Sequence, residues 1–468
     1  MGGSRLAQGG AHLTGDVTRR QFLKKSGRTA LGVGLGTTAA HVLTGVSKAT
    51  AQELPPSEKI IVGGIGCGGR GRGLLGEFQR EPEVEIAAVC DVYGPNLDRA
   101  VGLTGGKAEG YRDFRELLDR PDLDVVVVAT PDHWHCLPTI FACQSGKDVY
   151  VEKPLALSIG EGRAMVNAAR KYDRVVQVGT QQRGGSHFRR CVEIVQSGAL
   201  GTISLVRTWH VGNSAPGGMG HPEPTDPPRD LDWDMWLGPA PRRPFHPQRC
   251  LRHFRWFWDY SGGQTTDIGT HILDIMLWGM QVESPLAVSA SGGKLAVDDF
   301  TETPDTLLAT YEFPGFIGTY EYHGANAHPI DGRGRATQFH GVNGTAVVNL
   351  GGYEVIPEGG RMEPEKGPAG SISGAHVRNF LDCVKSRQRP WADVEVGHRS
   401  TILPHLANIS LWTGHKIVWD ASRERCLKDP QANQYLLRPY RKPWKIPKSL
   451  LWHTPGKIPP GSASARES

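Results

Sequence analysis

The sequence predicts an α/β protein whose N-terminal side folds as a doubly wound parallel sheet, with a second domain after it. Three observations carry this expectation. An apolar run at residues 60–62 leads into a glycine loop at residues 66–71, and an acid closes the next apolar run about 20 residues later. Further β-branched runs then alternate with segments long enough for helices. At 468 residues the chain has room for two cores.

The N-terminus carries its own signal. Thr18-Arg19-Arg20-Gln21-Phe22-Leu23-Lys24 matches the twin-arginine export pattern, followed by a mild apolar stretch at residues 30–46 and the small-x-small site Ala49-Thr50-Ala51. Residues 1–51 are therefore expected to be a signal peptide, cleaved or kept as an anchor, and the mature chain to start near Gln52. The implied partner is the twin-arginine export machinery and the implied location is periplasmic. The same segment explains the net charge of +5. Of 53 Lys and Arg and 48 Asp and Glu, seven and one fall within residues 1–51, which leaves 46 bases against 47 acids. A near-neutral body has no basic face for nucleic acid. The eight cysteines form no CxxC pair, and no structural disulfide is expected.

The glycine loop Gly66-Cys67-Gly68-Gly69-Arg70-Gly71 fits GxGxxG. Such a loop turns tightly and lets backbone N–H groups approach a pyrophosphate at the helix start. Val84 to Cys90 is the second strand, and Asp91 closes it where a carboxylate binds a ribose 2′-hydroxyl and repels a 2′-phosphate. The cofactor expected is thus NAD rather than NADP. Residues 123–129 are a β-branched run of the kind buried on both faces of a parallel sheet, and it ends in Thr130-Pro131 at the ligand-binding edge. Asp148 to Val151 leads into Glu152-Lys153-Pro154, and residues 175–178 lead into residues 179–183.

The motifs GxGxxG, ATPDHWH (129–135), EKP (152–154) and GTQQR (179–183) together resemble the Gfo/Idh/MocA oxidoreductase family. The resemblance continues through LDWDMWLGPAP (231–241), FWDYSGGQTTDIGTHILD (257–274) and HVRNFLDCVKSRQRP (376–390). It implies an NAD-binding Rossmann domain at 58–183 and an α+β domain with a large, mostly antiparallel sheet at 184–445; the tail at 446–468 is expected to be partly disordered, from Pro459 onward. It also implies cofactor contacts from Gly66, Gly68, Gly69, Arg70, Gly71, Asp91, Thr130, Pro131, His135, Glu152 and Gln181. Lys153, Asp267 and His271 are the implied catalytic group, and Arg183, His210, Trp258 and Asp274 the implied substrate contacts.

A helix at residues 266–278 places Asp267, His271 and Asp274 at i, i+4 and i+7, on one face. Oxidising a secondary alcohol needs an acceptor for the hydroxyl proton, and either His271 or Lys153 can serve. An ammonium also stabilises a developing alkoxide. Asp267 can orient the imidazole or hold a neighbouring hydroxyl. His133-x-His135 has the look of a metal pair, but no metal is expected. The Pro/Gly-rich stretch at 212–264 carries Trp233, Trp236, Trp256 and Trp258 among arginines, which suits a sugar surface and equally suits pinning the loop to its own domain. The expected function is exported NAD-dependent hydride transfer with a sugar or polyol, the cofactor staying bound, in a homodimer or tetramer. Two alternatives remain: redox-neutral glycoside cleavage through transient oxidation and elimination, and a catalytically silent carbohydrate-binding protein. The ordinary GGQTTDIGTH stretch counts against glycoside cleavage and leaves net hydride transfer as the leading expectation.

Overall fold

The structure, a computed structural model, describes residues 58–462. The twin-arginine segment and its expected cleavage site lie outside the described residues. Six strands, β1 (Ile60–Ile65), β2 (Val84–Cys90), β3 (Glu109–Tyr111), β4 (Val125–Val128), β5 (Asp148–Val151) and β6 (Val176–Val178), form one sheet in the order β3-β2-β1-β4-β5-β6. Every pairing in it is parallel. The order reverses between β1 and β4, which opens a crevice at the strands' carboxyl ends. β4 shows why this sheet is apolar throughout. Val126 and Val128 enter the core on one face, while Val125 and Val127 enter it on the other. Helices α1 (Gly69–Gln79), α2 (Gly94–Leu103), α3 (Phe114–Leu118), α4 (Cys136–Gln144) and α5 (Ile159–Lys171) fill the connections.

After α6 (Ser186–Gln196) comes β7 (Ile203–Asn213), the first strand of an 11-stranded sheet. A long irregular segment with the short helix α7 (Trp233–Leu237) precedes helices α8 (Gly263–Asp267) and α9 (Gly269–Met280). The remaining strands are β8 (Ala287–Gly293), β9 (Thr306–Phe313), β10 (Phe316–His323), β11 (Ala325–Asn326), β12 (Arg335–Gly341), β13 (Gly344–Asn349), β14 (Gly352–Pro357), β15 (Glu365–Pro368), β16 (Ile417–Asp420) and β17 (Arg425–Cys426). Their order is β15-β14-β13-β12-β7-β10-β9-β8-β16-β17, with β11 pairing off β7, and only β7 and β10 run parallel. One face buries Val206, Leu307, Tyr311, Tyr320 and Phe339 against α9 and against α11 (Val394–Thr413). Strand alternation turns Leu308, Ile317, Ile356 and Val418 the other way, where they are exposed.

The two domains divide the sequence less cleanly than they divide space. Helix α10 (Ser373–Ser386) belongs by position to the second domain, yet Val377, Phe380 and Leu381 complete the core formed by β1 and α1. Phe380 meets the rings of Phe78 and Tyr150 edge-on at 6.0 and 5.8 Å. In the tail, Ile446 and Leu450 are buried in the core on the other face of the first sheet, where Asn167 of α5 donates to Leu450 O at 2.9 Å. Residues 463–468 lie outside the described residues. All eight cysteines are buried and unpaired. Among the described residues no helix is long and apolar enough to cross a membrane.

Because Phe380 is wholly buried at the junction, Phe380→Ala is expected to cost about 3–5 kcal/mol of unfolding free energy in urea titration. A loss well below 1 kcal/mol would show that α10 is a removable appendage.

Candidate active site

The glycine loop divides its glycines between two tasks. Gly66 sits at φ +86°, and a Cβ there would lie 2.6 Å from Thr130 N, while one on Gly71 would lie 1.9 Å from Gly66 O. These two allow the turn and the close packing of α1. Side chains at Gly68 and Gly69 would meet nothing within 4 Å, so the loop presents bare backbone to the crevice. Asp91, at the end of β2, accepts hydrogen bonds from Cys67 N (2.7 Å) and Tyr93 N (2.8 Å). Burial raises its pKa. Its remaining lone pairs face the same crevice, which encloses about 930 Å³ and is lined by Gly66, Gly68, Gly69, Arg70, Asp91, Thr130, Pro131, His135, Glu152, Lys153, Gln181 and Asp267. Bare glycines, a strand-end carboxylate and open volume between them fit a dinucleotide.

Arg70 is bonded to Glu152 at 2.7 Å, so these two crevice residues hold α1 to the end of β5. The ring of His135 lies 2.7 Å from Pro154 O and 2.9 Å from Thr130 O, clamping the loop after β4 to the Lys153 turn. His133 lies 2.9 Å from Trp236 O, deep in the packing. No three His, Cys, Asp or Glu side chains converge as a metal site among the described residues.

Lys153 crosses to the second domain. Its ammonium donates to the Asp267 carboxylate and, at 2.9 Å, to the Asp267 backbone carbonyl. This contact explains a departure from the expected helix at 266–278, which is interrupted at Ile268. The His271 N–H bonds to Ile268 O at 3.1 Å instead of to the carbonyl one residue earlier, leaving Asp267 O for Lys153. Arg255 shares the same carboxylate at 3.1 Å. Burial would raise the Asp267 pKa, but Lys153 and then Arg255 outweigh it and hold the carboxyl below its ordinary value.

His271 begins the next turn, 6% exposed, with no hydrogen-bond partner for Nδ1 among the described residues. Burial, then the charges of Lys153 and Arg335, push its pKa well below the ordinary value, so the ring is neutral and able to accept a proton. His210 stands on β7, its ring stacked at 5.8 Å on Tyr322, with its pKa lowered to about 4 by burial and then by Arg335.

Three expected substrate contacts have partners inside the protein that the sequence could not reveal. Arg183 and Asp274 bind each other, with Nε and Nη2 both 2.8 Å from the carboxylate, and Ser400 completes the knot at 2.5 Å. Asp274 is wholly buried. Trp258 is buried edge-on against Trp412, and its carbonyl accepts from Arg438. The irregular segment is a packed body in its own right. Trp233 and Trp236 stack at 4.9 Å over a cluster with Phe245, Phe254 and Phe257, so they pin the segment rather than face a sugar. Its residues 247–255 then form the wall of the crevice opposite Asp91. Sequence reasoning named Arg255 only as one of four arginines set among the tryptophans, and it did not single out Arg335. Nor did it single out Asp132, whose buried carboxylate accepts from Ser261 at 2.5 Å.

The dinucleotide crevice, with a charged Lys–Asp pair and a neutral histidine at its edge, defines a nicotinamide-dependent oxidoreductase. A model described as "Oxidoreductase family, NAD-binding Rossmann fold" matches residues 60–180, and one described as "Oxidoreductase family, C-terminal alpha/beta domain" matches 189–312 and 368–446. The chain belongs to the Gfo/Idh/MocA oxidoreductase family, and its N-terminal domain is the NAD-binding one. Among curated relatives, a glycosyl hydrolase family 109 protein of Shewanella sp. (strain MR-4) is 30% identical over 204 residues. An alpha-N-acetylgalactosaminidase of Shewanella oneidensis is 29% identical over 208 residues. Each match covers 40% of this chain and 44% of the relative, under half of its length. Among solved structures, levoglucosan dehydrogenase with NADH and levoglucosan aligns with a TM-score of 0.61 at 20% identity, covering 77% of this chain and 99% of that one. An aldose-aldose oxidoreductase from Caulobacter crescentus, complexed with glycerol, aligns at 0.60 and 20% identity with the same coverage. These structures share the fold.

Two outcomes are expected. Asp91→Asn should narrow the preference for NAD over NADP by about tenfold or more in fluorescence titration, as a lost charge repulsion implies. Turnover should be flat through about pH 6.5, the ordinary histidine range. A limb there that vanishes in His271→Ala would show the ring titrating.

Proposed function

We propose that the chain is an exported oxidoreductase that moves hydride between a retained NAD and a hydroxyl of a sugar or polyol. The observation that carries this reading is the cluster at the crevice edge, where Lys153 joins Asp267 and neutral His271 follows one turn later. When bound, the nicotinamide supplies the hydride acceptor. His271 takes the hydroxyl proton, since its neutral ring is a free base. Lys153, fixed by two bonds to Asp267, stabilises the alkoxide electrostatically. Asp267 and Arg255 hold the ammonium in place. The solved structures with sugars or polyols bound support a polyhydroxylated substrate for this fold. The twin-arginine motif supports a periplasmic location and the export machinery as partner. The exposed apolar face of the second sheet supports self-association.

A second reading is favoured by the family 109 relatives. In it the same residues oxidise a glycoside transiently, allow elimination next to the carbonyl and return the hydride, with no net redox change. The silent-binding alternative loses ground, because Lys153 and Asp267 both line the crevice and His271 follows in the next helix.

The direct test is to purify the protein without added nucleotide, denature it and identify released NAD(P) by mass spectrometry. Stoichiometric NAD is expected; an empty protein would overturn retention. Lys153→Ala and His271→Ala should each lower turnover at least about a hundredfold with NAD retained, and near-normal rates in both would remove the site assignment. Cleavage of an aryl glycoside without NADH accumulation would select the second reading.

A further inference from the structure

Two rows of side chains cross the second sheet on the face that packs against α8 and α9. The first row is Thr337, Thr208 and Tyr320, aligned across β12, β7 and β10. It fastens the sheet to the helices: Thr337 donates to Ile272 O at 3.0 Å and Tyr320 to Gln264 O at 3.1 Å. Two residues along each strand, and so on the same face, lies the second row, Arg335, His210 and Tyr322. This row stands beside Asp267 and His271, near enough that the Arg335 charge acts on both His210 and His271.

Arg335 is the unusual member. It is half-buried, and among the described residues it has no hydrogen-bond or ion-pair partner. The neighbouring cations are all committed. Lys153 and Arg255 bind Asp267, Arg70 binds Glu152, and Arg183 binds Asp274. Burial lowers the Arg335 pKa, with the Asp267 charge opposing it. A guanidinium withdrawn from water beside a reaction centre, with no counter-ion, is costly unless something else supplies the charge. The local balance says what that is. Asp267 is already taken by Lys153 and Arg255, Asp132 lies by Arg255 and the buried Arg438, and both histidines are neutral. Arg335 is left without a carboxylate of its own.

We propose that the substrate is a carboxylate-bearing sugar, a uronate or aldonate, and that Arg335 is the counter-ion that selects it. A single carboxylate supplies the missing counter-ion and matches the planar fork of a guanidinium. A phosphate dianion would overshoot the balance, and a neutral sugar would leave Arg335 unmatched. The proposal rests on the oxidoreductase reading for its chemistry, but binding alone can test it.

The NAD-loaded full chain is titrated calorimetrically with D-glucuronate, D-galacturonate, D-gluconate, D-glucose and D-glucose 6-phosphate, alongside rates of NADH formation. At least one sugar acid should bind about 30-fold or more tighter than glucose, the scale of a charge-assisted pair. Arg335→Gln should abolish that preference and Arg335→Lys should restore part of it, with unchanged thermal midpoints reporting that both variants fold. Glucose bound as well as the acids, a preference that survives in Arg335→Gln, a stronger response to the phosphate, or no binding of any acid would each overturn the proposal. Arg335-dependent binding without hydride transfer to NAD would uphold it and remove the redox reading instead.

Discussion

The bond between Lys153 and Asp267 is the constraint on which the site depends. It spans the two domains, joining the turn after a parallel strand to a helix that packs on the other sheet. By taking a main-chain carbonyl as well as the carboxylate, the ammonium breaks the helical ladder at Ile268 and starts a new helix there. Asp267 thereby ends one helix at the crevice, and His271 enters the next with its ring surrounded by charge. The electrostatics follow from the same contact. Lys153 and Arg255 keep Asp267 ionised, while burial and then Lys153 and Arg335 keep the histidine neutral. A ring that would titrate near neutrality in water is held unprotonated by its surroundings.

Much of the first domain was legible because its residues answer to local rules. Four consecutive valines in β4 leave no polar face, and this identifies a strand buried on both sides. Gly66 and Gly71 are read correctly as glycines because any side chain would strike backbone. The short strand β3 was not foreseen: Glu109, Gly110 and Tyr111 carry no apolar pattern and sit at the sheet edge. In the site, Lys153, Asp267 and His271 stand within recognisable motifs. Arg183, Asp274 and Trp258 stand in equally recognisable motifs, yet the first two neutralise each other and the third fills a core. Which polar groups are satisfied internally is a property of long-range pairing, and no local pattern encodes it. Arg335 illustrates the converse, since nothing around it in the chain distinguishes it and only its register opposite His210 gives it meaning.

The long irregular segment shows how aromatic residues can substitute for regular structure. It lacks a ladder of backbone bonds over most of its length, so Trp233, Trp236 and the phenylalanines beneath them supply the rigidity. That rigidity gives the crevice a firm second wall without a strand or a long helix behind it.

Helix α10 has a consequence for the order of events in the cell. Lys385, on that helix, bonds to Glu83 across 302 positions of sequence, and Phe380 closes the core around the first strand. During synthesis the nucleotide-binding half emerges first but lacks this closing piece until most of the polypeptide has left the ribosome. Its core is therefore completed only after most of the second domain has been made. On the proposed export route, which accepts only finished proteins, the leader peptide would be displayed long before its passenger is ready. Cofactor capture would be a late, post-translational step, and the assembled crevice itself could serve as the evidence of completion that the transport apparatus requires.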